Sequence, residues 1–412
     1  MKNAVVVTGV GAITPVGLNA ADTWAAILAG KSGIDHTNRF DTAGHTVKIS
    51  AEVKGFDPHD HFSVKETRRL DRFTQLSLVA AREAIEDAGI DLAHMPVECV
   101  GAYIGSAFGG ISTLYEQTLA FQTKERARVS PFLIPMMIQN MAAGQVSIAL
   151  GLKGPTMSPM TACAAGADSI GQAAEIIRRG DAEVMICGGG EAPLVPLIMA
   201  GFEAMGVLAR GNGVPEKACR PFDAEREGCV IGEGAAILVL ESLAHARRRG
   251  ARIYAELAGY GATSDASHIT SPTETGEGIA RSMHVALNKA GLSPSTTGYI
   301  NAHGTGTVRN DQSETAGIKT AFGQHAYQLA VSSTKATTGH LIGAAGAVEA
   351  IVCVKALETQ TIPPTLNYQH QDPDCDLDYV PDNPRSIAFD VALTNSVGFG
   401  GHNATLAFRS WN

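Results

Sequence analysis

The chain has 412 residues, 45% of them hydrophobic and 18% charged, and a formal net charge of −9. This length suggests two or three domains or one large duplicated unit, and the composition is that of a compact protein with a substantial core. The acidic balance argues against a general nucleic-acid binder, and no apolar run is long enough to span a membrane, so neither is expected as a partner.

Short apolar runs alternate with helical patterns, as in an α/β protein with buried strands. The opening MKNAVVVTGVGAITPVG holds one lysine and an apolar run interrupted by Gly9 and Gly11. It reads as a first strand and turn rather than a secretory leader. The same glycine pair resembles the start of a dinucleotide-binding turn, but the third glycine is missing, Pro15 intrudes and no acidic residue follows at the expected distance. Further on, VKETRRLDRF spaces Lys65, Arg68, Arg69 and Arg72 along one side of an expected helix.

A recurrence follows. SLVAAREAIEDAGIDL has helical spacing at Leu78, Ala81, Ala84, Ile85 and Ala88, and IARSMHVALNKAGLSP repeats it at Ile279, Met283, Ala286, Leu287 and Ala290. Gly89 and Gly291 supply the left-handed stop in each. Both helices lead into a short strand and a glycine-rich loop, CVGAYIGSAFGG and TGYINAHGTGT. TACAAGADSIGQAAEII matches TGHLIGAAGAVEAIVCVKAL with Cys163 set against His340 and Gly166 against Gly343. Near the end of each half comes a strand and glycine cluster, VMICGGGEAP and TNSVGFGGHN. The repetition predicts two similar halves, residues 1–251 and 252–412, packed so that Cys163 and His340 face one cavity.

Seven cysteines, at 99, 163, 187, 219, 229, 353 and 375, form no CxxC pair and no metal-ligand spacing. This fits a reducing, cytoplasmic compartment better than a disulfide framework. Cys163 sits among small residues at an expected helix start, where the backbone dipole favours a thiolate; the alternative is a small buried hydrophobe. His303 follows the strand Tyr299 to Ala302, at the carboxyl end where α/β sheets hold ligands. His340 opens an expected helix, Lys335 lies five residues earlier, and the glycine-flanked Phe399 lies on a loop whose amides could meet an oxyanion.

TACAAG together with NAHGTGT, KATTGHLIGAAGAVE and NSVGFGGHN resembles the β-ketoacyl-acyl-carrier-protein synthases, the type II condensing enzymes of fatty-acid synthesis, nearly end to end. The resemblance implies a thiolase-type five-layered αβαβα sandwich built from two similar halves. It implies that Cys163 takes an acyl group as a thioester. His303 and His340 then stabilise the enolate left when a malonyl thioester loses carbon dioxide, and that carbanion attacks the acyl group. The amides of Cys163 and Phe399 would form the oxyanion hole, Lys335 and Glu349 a supporting charged pair, and Asp311 and Glu314 further support. Thr270, Ser271, Thr305 and Thr307 would line the tunnel for the phosphopantetheine arm of acyl carrier protein, with Phe108 and Phe202 along the acyl pocket. Lys65, Arg68, Arg69 and Arg72, joined by Arg126 and Arg128, would dock that acidic carrier. No metal or redox cofactor is implied, and a homodimer is.

Some positions depart from the family pattern. Phe108 replaces a smaller aliphatic residue and suggests short or medium acyl chains. Val397 stands where an aromatic is frequent, and Gly206 where some relatives carry a basic docking residue. A polyketide ketosynthase would share the chemistry. A thiolase would need a second cysteine near the C-terminus, where His402 and Asn403 stand instead, and a non-catalytic partner subunit would lack Cys163.

Overall fold

The computed structural model describes residues 4–124 and 129–411. Among them, ten strands form one mixed sheet made of two sets with the same arrangement. The first set is β1 (Val5–Ile13), β2 (Val100–Gly105), β3 (Thr156–Met157), β4 (Val184–Glu191) and β5 (Gly234–Ser242), lying in the order β3-β2-β4-β5-β1. The second is β6 (Ala255–Ser264), β7 (Thr297–Asn301), β8 (Ala330–Ser332), β9 (Val391–Gly398) and β10 (His402–Ser410), in the order β8-β7-β9-β10-β6. Directions match as well. β2 is parallel to β3 and β4 as β7 is to β8 and β9, while β5 and β10 run antiparallel to both their neighbours. The sets join where Val6 and Val7 of β1 pair with Glu256 and Ala255 of β6.

Helices α2 (Ala165–Arg179) and α5 (Ala345–Thr359) lie in the central core shared by both sets. Helix α1 (Arg72–Ala88) packs on the outer face of the first set, and α3 (Glu277–Ala290) and α4 (Val308–Phe322) on that of the second. This is the αβαβα sandwich of two similar halves. Because both sheet faces are covered, β1, β2 and β4 are buried at every residue. The expected stops also hold, with Gly89 and Gly291 at φ +62° and +65°.

The structure corrects several sequence expectations. Gly9 and Gly11 lie inside β1 and make no turn; a Cβ on them would stand 2.2 Å from the Ala84 carbonyl oxygen and 2.1 Å from that of Ala80. Gly259 and Gly261 of β6 meet α3 in the same way, 2.0 Å from the carbonyl oxygens of Ala286 and Ser282. These glycines let a helix backbone lie directly on a strand, which removes the dinucleotide-turn reading. The repeat register also shifts by three. Ala162 and Ile342 share the same left-handed φ, +50° and +48°, each opening a short turn before its helix. Cys163 is therefore equivalent to Gly343, and Gly166 to Gly346. The basic stretch is not one helix: Val64–Thr67 is a single capped turn, and the buried Asp71 caps the separate α1. No helix among the described residues is long and apolar enough to cross a membrane.

Candidate active site

Cys163 lies in the turn Ala162–Ala164 that enters α2. His303 stands just beyond β7, where the buried Glu314 carboxylate accepts the amides of His303 and Gly304, each at 2.8 Å. His340 does not open a helix as expected. It sits on an extended stretch between the short helix Lys335–Thr338 and the turn into α5, held by its N–H donating to the Val230 carbonyl at 2.7 Å. These three side chains line one cavity of about 610 Å³ together with Phe202, Thr270, Ser271, Thr305, Thr307, Val397 and Phe399. His340 Nε2 is 3.2 Å from Cys163 Sγ, and the two imidazole rings stand edge to face, 5.3 Å between centroids.

Lys335, 1% exposed, donates to Glu349 Oε1 and to the His303 carbonyl oxygen, with its Nζ 3.4 Å from His303 Nδ1. An ammonium has donors only, so Nδ1 accepts and the His303 proton is on Nε2. Burial, with Lys335 and His340 close by, holds the His303 imidazole well below its ordinary range. Burial and Lys335 do the same to His340, so both rings are neutral near pH 7.

The thiol differs from the sequence expectation. Burial pushes Cys163 up to about 12, against the opposing pull of Lys335 and of the Phe399 amide. The resting sulfur is therefore a protonated thiol, with His340 Nε2 within hydrogen-bond reach. Gly398 explains the tight approach of the second loop: a Cβ there would fall 2.5 Å from the Thr161 carbonyl oxygen and 3.3 Å from the Cys163 nitrogen. Gly398 thus lies directly against the Cys163 turn, which brings the Phe399 amide within hydrogen-bond reach of the sulfur.

Other expected residues fall as follows. Asp311 accepts the amides of Phe222 (2.8 Å) and Gly306 (3.3 Å) beside the Arg226 guanidinium, fixing the loop that carries Thr305 and Thr307. Phe108 does not line the cavity; it packs behind Phe202, ring edge to face at 6.2 Å. Lys65, Arg68 and Arg69 are exposed, Arg69 lying over the Phe132 ring, whereas Arg72 is drawn inward to Glu233 at 2.6 and 2.7 Å. Arg126 and Arg128 lie outside the described residues.

Sequence reasoning missed Glu191. This buried carboxylate accepts from Ser106 Oγ and from the amides of Ala107, Phe108 and Gly343, tying the loop of residues 106–108 to the turn beyond His340. Its only sequence signal is an acid ending the glycine run of β4. It also missed Cys229, Asp265, His268 and Arg309, which line the cavity without a motif of their own.

A buried thiol facing two neutral imidazoles, on a duplicated α/β sandwich, defines a thiolase-type condensing enzyme. The chain matches the model "Beta-ketoacyl synthase, N-terminal domain" over residues 2–246 and "Beta-ketoacyl synthase, C-terminal domain" over residues 254–369. It belongs to the β-ketoacyl synthase family. It is 47% identical to 3-oxoacyl-(acyl-carrier-protein) synthase 2 of Synechocystis sp., covering 100% of this chain and 99% of that one. It is 48% identical to the Staphylococcus aureus (strain COL) protein of the same name, over 99% and 98%. Among solved structures it resembles a ketosynthase in complex with its type II PKS acyl-carrier protein, bound to the hexaketide (TM-score 0.93, 34% identity), and a β-ketoacyl synthase from Burkholderia phymatum STM815 (TM-score 0.93, 33%), each over the full length of both chains.

Proposed function

We propose that the chain is a 3-oxoacyl-acyl-carrier-protein synthase of fatty-acid elongation. The observation that carries this is the convergence of Cys163, His303 and His340 on one cavity, in a chain nearly half identical to proteins of that name. Cys163 Sγ attacks the thioester carbonyl of an acyl group carried on a phosphopantetheine arm. Its proton ends on the departing arm sulfur, so an acyl-cysteine and a free arm thiol result, and His340 keeps a proton on Nε2 for the next step. The amides of Cys163 and Phe399 hold the tetrahedral oxyanion. A malonyl thioester then loses carbon dioxide, and the Nε2–H of His303, joined by His340, holds the enolate oxygen. The enolate carbon attacks the acyl carbonyl, the Cys163 thiolate leaves, and it takes up one proton to restore the thiol.

Since decarboxylation supplies the carbanion, no metal or redox cofactor is needed. Lys335 and Glu349 act as positioning residues. Lys335 fixes the His303 tautomer and Glu349 holds Lys335.

The arm enters past Thr270, Ser271, Thr305 and Thr307, and acidic carrier protein docks on exposed Lys65, Arg68 and Arg69. Phe108, wedged behind Phe202, favours short or medium acyl groups. Apolar side chains left exposed on adjoining elements, Phe121, Ile134, Ile148 and Met157 of edge strand β3, support a homodimer. Free cysteines at all seven positions support a cytoplasmic setting. The polyketide reading shares this chemistry, but the fatty-acid reading is favoured by the higher identity to the synthase 2 relatives.

Intact-mass analysis after incubation with acyl-carrier proteins of increasing chain length tests the proposal. A single acyl adduct that vanishes in Cys163→Ala is expected, with yield and extension rate falling for long chains. A cysteine-independent adduct, or none, overturns the mechanism; undiminished long-chain turnover overturns the length preference.

A further inference from the structure

Phe202 and Ile342 line the cavity and pack in one apolar cluster with Cys163. Phe202 is backed by the Phe108 ring, and Ile342 opens the turn that leads into α5. These two walls come from different halves of the chain, and Glu191 at the end of β4 joins them. Its Oε1 accepts the Ser106 hydroxyl at 2.9 Å and the Phe108 amide at 3.2 Å. Its Oε2 accepts the amides of Ala107 at 2.7 Å and Gly343 at 3.1 Å. None of these partners is a cation, so a wholly buried carboxylate is occupied by one loop and one turn.

The fit around it is close. A Cβ on Gly343 would lie 2.6 Å from both Glu191 Oε2 and the Ala107 nitrogen. Ser106 Oγ in turn accepts the Gly109 amide at 2.9 Å, and Gln139 Nε2 donates to the Ala107 carbonyl at 2.7 Å. An apolar ring has no directional hold of its own. The position of Phe108 behind Phe202 therefore follows its backbone, whose amide ends on Glu191.

We propose that Glu191 is a positioning residue that sets the acyl-length limit by pinning Phe108 behind Phe202. This rests on the reading of Phe108 as that limit. Glu191→Gln separates pinning from packing, because it keeps the shape and leaves one acceptor oxygen. With that oxygen on the Ala107 and Gly343 amides, the new NH2 faces the Ser106 hydroxyl, which can accept, and the Phe108 N–H, which cannot. The opposite orientation sets the NH2 against two backbone donors and is worse. The substitution thus frees Phe108 while keeping the tie to the turn. The Glu191 charge also pushes the Cys163 thiol up, though less than burial does. Its loss acts on every chain length alike, and a ratio between chain lengths cancels it.

The test measures kcat/KM for acyl-carrier proteins bearing short to long chains, in the wild-type chain, Glu191→Gln, Ser106→Ala and Phe108→Ala. In Glu191→Gln the long-to-short ratio should rise roughly fivefold to tenfold, as for the loss of one buried hydrogen bond. Ser106→Ala frees the Gly109 amide of the same loop and should shift the ratio the same way; it carries the test if Glu191→Gln does not fold. An equal loss at all lengths marks a merely structural carboxylate and overturns the proposal. A raised ratio in Phe108→Ala alone overturns it too, while the reading of Phe108 stands. If no variant moves the ratio, both fall.

Discussion

Lys335 spends its donors on Glu349, the His303 carbonyl and His303 Nδ1, and the consequence is a ring whose proton faces the substrate and whose second proton is unwelcome. Sign matters here. Burial and Lys335 lower the imidazole value, so the neutral form persists as pH falls through 6.5, the ordinary histidine value, and is lost only well below it. Malonyl decarboxylation by Cys163→Gln, which lacks the thiol's own titration, should stay flat through that range and fall only at lower pH. An inflection near the ordinary value would argue against neutral donors. Adding Lys335→Ala removes a cation that depresses His303, so its inflection should move upward. Replacing both histidines with alanine should remove decarboxylation, with each lost donor costing about a hundredfold or more; retained decarboxylation would refute their role.

At the scale of elements, the site depends on how closely α2 and α5 meet. A Cβ on Gly166 would lie 2.8 Å from the Gly343 carbonyl oxygen and 3.0 Å from the Ala347 nitrogen, while one on Gly346 would lie 2.9 Å from Ala167. Gly166→Ala should therefore destabilise by about 1–3 kcal/mol through overpacking. Gly201, in the helix Pro196–Met205 with nothing near its Cβ direction, should do the opposite: Gly201→Ala should gain about 0.5–1 kcal/mol. Urea unfolding reads both, and a shared sign would defeat the packing argument.

These close approaches also explain what was legible in the letters. The paired helices and their glycine stops repeat with one period and one chemistry, so they could be read directly. The register of TACAAG against LIGAAG could not, because alanine and glycine match each other at several offsets and only the shared left-handed φ of Ala162 and Ile342 decides. The glycines of β1 looked like a turn because a helix lying on a strand leaves no trace in the strand's own sequence. His303, His340 and Lys335 were found because their motifs are distinctive. Burial, which pushes the Cys163 thiol up, is a property of the whole fold and leaves no sign in the local sequence. Glu191 joins residues far apart in the chain and had no local pattern to announce it.

At the scale of the molecule, the first strand set ends in β3, an edge whose Thr156 and Met157 are both exposed beside the exposed Ile148. An unpaired apolar edge invites a second copy. Sedimentation should find a dimer, and Ile148→Asp should yield monomers. A monomeric wild-type chain would end the homodimer proposal, and an undisturbed Ile148→Asp dimer would move its face elsewhere.

The seam between α2 and α5 has a further consequence. The sulfur hangs from one side of it and the imidazoles from the other, so neither half carries a working fragment of the chemistry. A chain nicked at the exposed Gly250 would retain every reacting group, yet turnover would survive only while the two pieces stayed clasped. Turnover would then report their adhesion, and any event that prised them apart would silence the enzyme without touching a single reacting atom.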